Sequence, residues 1–258
     1  MSREQEEALD QSKAPLMEHL LELRGRLIKA FLWLLAAFAV SYYFSGQIYD
    51  FLVRPLAEAF EGEEGRRMIF TGLAEAFFTR LKVAFYAALF VAFPLISIQI
   101  WKFVAPGLYK GEQRAFLPFL IATPILFTAG GALVYYVVIP LAWRFFLGFE
   151  QPGGDGALPI QLEARVGEYL SLIIKLIFAF GISFQLPVLL VLLNRAGLMT
   201  LETLKKGRRY AIVMAFAFAA VMTPPDVISQ IGLGIPIILL YELSILFIQL
   251  TSKKKAKS

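Results

Sequence analysis

The sequence predicts an all-α integral membrane protein with six transmembrane helices in a curved, proline-kinked bundle. Three observations carry that reading. The 258 residues are 58% hydrophobic and 17% charged, with a mean hydropathy of +0.66. A soluble domain is nearer half apolar and about a quarter charged. The apolar residues gather into six runs near the ~17–25 residues that a spanning helix needs. The 25 Lys and Arg residues sit in clusters between these runs. That is where orientation signals belong, and it does not suggest nucleic acid as a partner.

The chain reads as one membrane domain, 1–258, with spans at about 27–45, 76–100, 116–141, 169–193, 210–222 and 227–248. The first run follows an amphipathic segment, 1–26, that contains six acids. Such a lead-in is wrong for a cleaved signal peptide, so the run is expected to be retained as a span. Helices five and six are expected to be short. The run from Tyr210 to Met222 has 13 residues, ~20 Å of helix against a hydrocarbon core of ~30 Å. Either it is re-entrant, or the two helices form a short hairpin in a locally thinned bilayer. The tight turn Thr223-Pro224-Pro225-Asp226 favours the hairpin.

Counting Lys and Arg by loop gives 17 on the side of both termini and 8 on the other, so both termini, including the basic tail 249–258, are expected in the cytoplasm. The segments 46–75 and 148–168 are then extracytoplasmic. In the first, Ile48, Phe51, Leu52, Leu56 and Phe60 recur at helical spacing. They predict an amphipathic helix at the interface, compatible with a cap over the helix ends. Pro94, Pro118, Pro124, Pro140, Pro187 and Pro236 fall in or near the spans, and each removes an amide donor and clashes one turn back.

Few residues offer chemistry. There is no Cys, and His19 is the only His, so a His-based zinc site or a catalytic triad is excluded by count. No phosphate-binding Gly-rich loop, metalloprotease motif or nucleophile elbow is present. No enzyme activity and no cofactor are indicated. Leu16, Leu20, Leu23 and Leu27 form one helical stripe and leave Glu18, Glu22 and Arg26 on another face. This segment is either a solvated lead-in helix or a carboxylate held at the membrane surface for a cationic partner. Glu112 is the only acid between Lys102 and Arg114, and either neutralises its basic neighbours or binds a partner. Within the spans, Lys175 can snorkel outward and Gln185 can hydrogen-bond another helix. Glu242 is either a neutral, hydrogen-bonded acid or the partner of a basic group. Thr223, Pro224 and Asp226 read as a local helix cap, with Thr at the N-cap.

At these motifs the chain resembles the TatC family of the twin-arginine protein translocase. The matching residues are His19-Leu20-Leu21-Glu22-Leu23-Arg24 with Arg26-Leu27, and Trp101-Lys102-Phe103-Val104-Ala105-Pro106-Gly107-Leu108-Tyr109 followed by Glu112. Ala179 to Val188, Thr223 to Val227 with Gln230, and Pro236 with Tyr241-Glu242 continue the match in the family's order. The resemblance implies a membrane receptor subunit. It would bind twin-arginine signal peptides at its cytoplasmic face and help to export folded proteins using the proton motive force. It implies TatA- and TatB-type single-span partners, the lipid bilayer, and homo-oligomers within the translocase. Glu22, Phe103 and Glu112, with Leu20 and Arg24 beside the first, match the signal-peptide site. Gln185, Asp226, Gln230 and Glu242 match intramembrane or partner-helix polar positions, and Pro55, Pro94, Pro187, Thr223 and Pro224 match structural ones. Many members have Glu where this chain has Gln185. Gln cannot ionise, so the resemblance implies polar docking at this position and no proton relay. It also implies a bacterial inner membrane, because no transit peptide precedes the motifs. The alternative reading is a secondary transporter for a small solute, which would be expected to show repeated halves and a polar midplane site.

Overall fold

The computed structural model describes residues 3–60, 65–108, 117–151, 153, 158–223 and 225–255. Helix accounts for nearly all of them: α1 (Arg3–Tyr43), α2 (Ser45–Ala59), α3 (Glu75–Leu108), α4 (Leu117–Leu133), a π-helical turn (Val134–Val138), α5 (Ile139–Leu147), α6 (Val166–Ser183), α7 (Leu186–Arg195), α8 (Leu201–Met222) and α9 (Val227–Lys255). Six crossings result. They are α1, α3, α4 continued through the π turn into α5, α6 continued into α7, α8, and α9.

Contacts at the two ends establish their alternation. At one end His19 stacks on Phe103, Trp101 packs near Phe119, and the Arg195 guanidinium lies over the Phe119 ring. With Lys205, Lys206 and Arg209 this is the basic end of the bundle. At the opposite end the segments that lead into the second and fourth spans pair, Ile69 N–H donating to the Ala164 carbonyl and Val166 N–H to the Ile69 carbonyl.

The acidic lead-in and the first span are one continuous helix of 41 residues. It stops at Phe44, and α2 leaves at 75°. Leu52, Pro55 and Leu56 of α2 are buried against the core, so α2 is a packed cap. Pro55 explains how it is held. A proline has no amide to donate to the carbonyl four residues back, which leaves the Phe51 carbonyl without its helical partner. Tyr135 Oη donates to it at 2.7 Å, and its ring stacks on Phe51. Tyr169 Oη donates to the Leu52 carbonyl at 2.8 Å. Two span tyrosines therefore pin the cap, one at the carbonyl that Pro55 leaves free and one at the carbonyl next to it.

The two loops at that end are cross-tied. Glu150 accepts from Arg66 Nη1 at 2.6 Å and pairs with Arg66 Nη2 as well, and it accepts from Leu162 N–H at 2.7 Å. Arg66, then the Leu162 amide, hold the Glu150 carboxyl down to about 2. A carboxyl depressed in the folded state stabilises it fully above its ordinary value near 4.5, and the contribution disappears as pH falls through about 2. Amide exchange at Leu162 and at the Gln151–Ile160 pair should therefore accelerate as pH drops across that window, beyond the intrinsic pH dependence of exchange. The Glu150→Gln protein should lack this extra acceleration. Identical profiles for both proteins would refute the tie.

The prolines act unequally. α3 runs on through Pro94, with Ser97 Oγ donating to the Pro94 carbonyl at 2.8 Å. Pro140 cannot donate to the Tyr136 carbonyl, and the chain widens there into the π turn. Pro187 ends α6: the helix breaks at Phe184-Gln185 and restarts as α7.

Two expectations about the last hairpin need correction. The helices are not short, since α8 has 22 residues and α9 has 29. The apolar run begins at Tyr210, but the helix begins at Leu201, because Lys and Arg are good helix formers and need no lipid. Thr200 caps it, its Oγ1 accepting from Thr203 N–H at 3.2 Å. α8 and α9 meet from Leu204 and Tyr241 at the basic end to Phe216 and Gly234, so the segment is a crossing hairpin and not re-entrant. The cap of α9 is also not Thr223. That residue closes α8, its Oγ1 donating to the Ala219 carbonyl. Asp226 caps α9, Oδ1 accepting from Ser229 N–H at 2.7 Å. With two prolines between them, an Asp directly before Val227 is the residue placed to reach the first free amides. Pro224 lies outside the described residues.

Candidate functional site

Helical spacing places Glu22 and Arg26 one turn apart on α1, and the structure joins them. Arg26 Nε and Nη2 donate to the same oxygen, Glu22 Oε1, at 2.9 and 2.6 Å. The other oxygen, Oε2, lies 3.9 Å from His19 Nδ1. His19 stacks on Phe103 of α3, ring centroids 4.2 Å apart and planes within 14°. Glu22 and Phe103, which are 81 positions apart in the chain, are thus linked by one imidazole at the basic end. The sequence placed His19 in the matched motif and excluded zinc and triad chemistry by its count, but assigned it no role in the site. Its spacing of three from Glu22 was the available signal, but the spacing does not show that Phe103 lies across from it. Leu20 and Arg24 are exposed on the same helix. Glu112 lies outside the described residues, which resume at Leu117.

Below Phe103, towards the bundle middle, a cavity of about 640 Å³ opens between α3, α4, α6, α7, α8 and α9. Ile100, Phe93, Ile182, Leu189, Met214 and Phe218 supply an apolar wall. A short polar chain crosses it. Trp101 Nε1 donates to Thr123 Oγ1 at 2.9 Å, and Gln185 Nε2 donates to the Thr123 carbonyl at 3.1 Å. The expected hydrogen bond from Gln185 to another helix is therefore present. Its Oε1 is buried with no hydrogen-bond partner among the described residues.

The remaining candidates lie apart from this site. Glu242 accepts from Arg208 Nη2 at 2.7 Å, which resolves its two readings in favour of a basic partner. Asp226 and Gln230 lie one turn apart at the start of α9, at the end opposite Glu22, and the Gln230 amide donates to the Asp226 carbonyl. Lys175 Nζ donates to the Val221 carbonyl at 2.8 Å, where a cation meets the negative end of α8.

A family model described as Sec-independent protein translocase protein (TatC) matches residues 18–236. The chain belongs to the TatC family. A TatC from Magnetococcus marinus is 49% identical over 247 residues, covering 96% of this chain and 88% of the relative. A TatC from Escherichia coli K12 is 39% identical over 233 residues, covering 90% and 87%. A solved structure described as the twin arginine translocase receptor TatC superposes with a TM-score of 0.75 at 35% identity, covering 91% of this chain and 99% of that one. This TatC-family protein is accordingly a multi-pass component of a Sec-independent protein translocase in the bacterial cytoplasmic membrane. The small-solute transporter reading finds no support.

Proposed function

We propose that the basic end is cytoplasmic and that the Glu22–His19–Phe103 cluster is the docking site for twin-arginine signal peptides. The observation that carries the reading is the cluster itself: a carboxylate and an aromatic ring from two distant helices, brought together by His19, with Phe103 two residues beyond Trp101 of the cavity lining. A guanidinium is a planar fork that pairs with a carboxylate through two parallel hydrogen bonds. Glu22 Oε1 already accepts twice from Arg26, so an incoming guanidinium pairs bidentately with Glu22 by displacing Arg26. Phe103 marks the point where the apolar stretch of the leader would pass into the cavity. Glu112, on the segment after Phe103, supplies the second carboxylate, and Leu20 and Arg24 line the approach.

In the same reading, residues 1–258 act as one domain that holds a folded precursor at the membrane while the proton motive force drives export. TatA- and TatB-type single-span subunits join it, and copies of the chain associate within the translocase. Gln185, which lines the cavity, would offer a polar side chain to a partner helix or leader entering it, without exchanging a proton. Asp226, Gln230 and the Glu242–Arg208 pair hold the last hairpin in register beside it.

The test is peptide binding to the purified protein, alone or with its partner subunits. A peptide with paired arginines ahead of an apolar stretch should bind, and replacing the pair by two lysines should weaken binding about tenfold or more, because ammonium groups lose the bidentate geometry. Equal affinity for both peptides would reject the site.

A further inference from the structure

We propose that the groove between α2, α3, α4 and α6 is a binding site for an anionic phospholipid, with one acyl chain in the groove and the phosphate on Lys82. The groove has a volume of about 320 Å³. Its α3 wall runs from Val83 to Val91, ~12 Å of helix. That is less than half of the ~30 Å over which a spanning partner helix would need contact, so the groove fits part of one hydrocarbon chain and not the length of a partner helix. Leu52, Tyr86, Phe90, Ile174 and Phe178 make the walls apolar, so water gains nothing there.

Lys82 stands at the outer rim. It is exposed, and its Nζ donates to Ser171 Oγ at 3.0 Å, bridging α3 and α6. Lys82 lies one turn before Tyr86, and Ser171 three residues before Ile174, so the pair closes the groove on the side away from the basic end. Its depth is that of a lipid phosphate. Between Lys82 and Lys102 every residue is uncharged, ~28 Å of helix against a ~30 Å hydrocarbon core. Ser171 Oγ already donates to the Gly167 carbonyl, so it serves Lys82 only as an acceptor. An ammonium has three donors, and two remain for phosphate oxygens. Of the other cations near this end, Arg54 is paired to Glu58 and Lys175 lies on the Val221 carbonyl, while exposed Arg80, two residues before Lys82, stands on a different side of α3.

Native mass spectrometry of the full-length protein, titrated in detergent with phosphatidylglycerol or phosphatidylcholine of identical chains, tests the site. Phosphatidylglycerol should be retained about fivefold better, the effect expected of one lysine near an anionic lipid. Lys82→Gln should abolish that preference and Lys82→Arg should keep it. Ala132→Leu, which fills the groove without touching the cation, should lower retention of both lipids. Binding of the paired-arginine peptide to each variant reports that it is folded. Equal retention of the two lipids, or retention indifferent to both Lys82→Gln and Ala132→Leu, would overturn the proposal.

Discussion

Glu22→Lys should weaken binding of a twin-arginine peptide by roughly thirtyfold or more. That is the lower end, about 2 kcal/mol, of the cost of breaking a desolvated charge pair. The lower end applies because Glu22 is 36% exposed in the unbound protein and becomes desolvated only when a leader covers it. The reversal places a third cation beside Arg24 and Arg26 and removes the acceptor. Glu22→Gln, which keeps one carbonyl oxygen but no charge, should fall between the two. Equilibrium titration of a labelled peptide at low and moderate salt reads the effect. The substitution lies on a partly exposed helix face, so thermal unfolding should move little. Unchanged affinity in the Lys protein would make Glu22 only the partner of Arg26, and the docking cluster would fail with it.

Gly130→Ala should destabilise the protein by about 1–3 kcal/mol, the usual penalty of forcing atoms into a filled interior. A Cβ at Gly130 would lie 2.7 Å from the Phe180 carbonyl oxygen and 3.0 Å from the Gly181 Cα. These are backbone atoms that cannot rotate away, so α4 and α6 must separate. The site should register it too, since Thr123 and Gln185 sit on the same two segments and their 3.1 Å hydrogen bond spans the gap. Gly232→Ala is the control, because its Cβ would meet Val138 Cγ1 at an ordinary 3.6 Å. Thermal unfolding in detergent should separate the two variants clearly. Equal midpoints would mean that the close crossing of α4 and α6 contributes nothing to stability.

The candidate site was half legible in advance. Glu22 was open between a solvated helix face and a partner site, and it joined Phe103 as a site candidate through the family resemblance. Their contact through His19 was not legible, because it depends on how α1 packs against α3. Glu242 had two open readings for the same reason. Its partner Arg208 is 34 positions away, and only the α8–α9 hairpin brings them together. The turn at residues 223–226 misled differently. Thr, Pro and Asp each suit a helix start, and the choice of Asp226 over Thr223 was made by the backbone. Thr223 still faces the last turn of α8, and Asp226 faces the first free amides of α9.

The amino-acid sequence alone determined that the chain lives in a bilayer, how many times it crosses and which end is basic. Those properties follow from the amount and order of apolar and charged residues, which are local and additive along the chain. Tertiary structure decided what packs against what. The tyrosines that bond the Phe51 and Leu52 carbonyls of α2, the two-glycine crossing of α4 and α6, and the imidazole between Glu22 and Phe103 all depend on distances between remote segments. A hydrogen bond or a ring stack is made or lost within an ångström, and the relative placement of packed helices to that tolerance is not written in any one stretch of sequence.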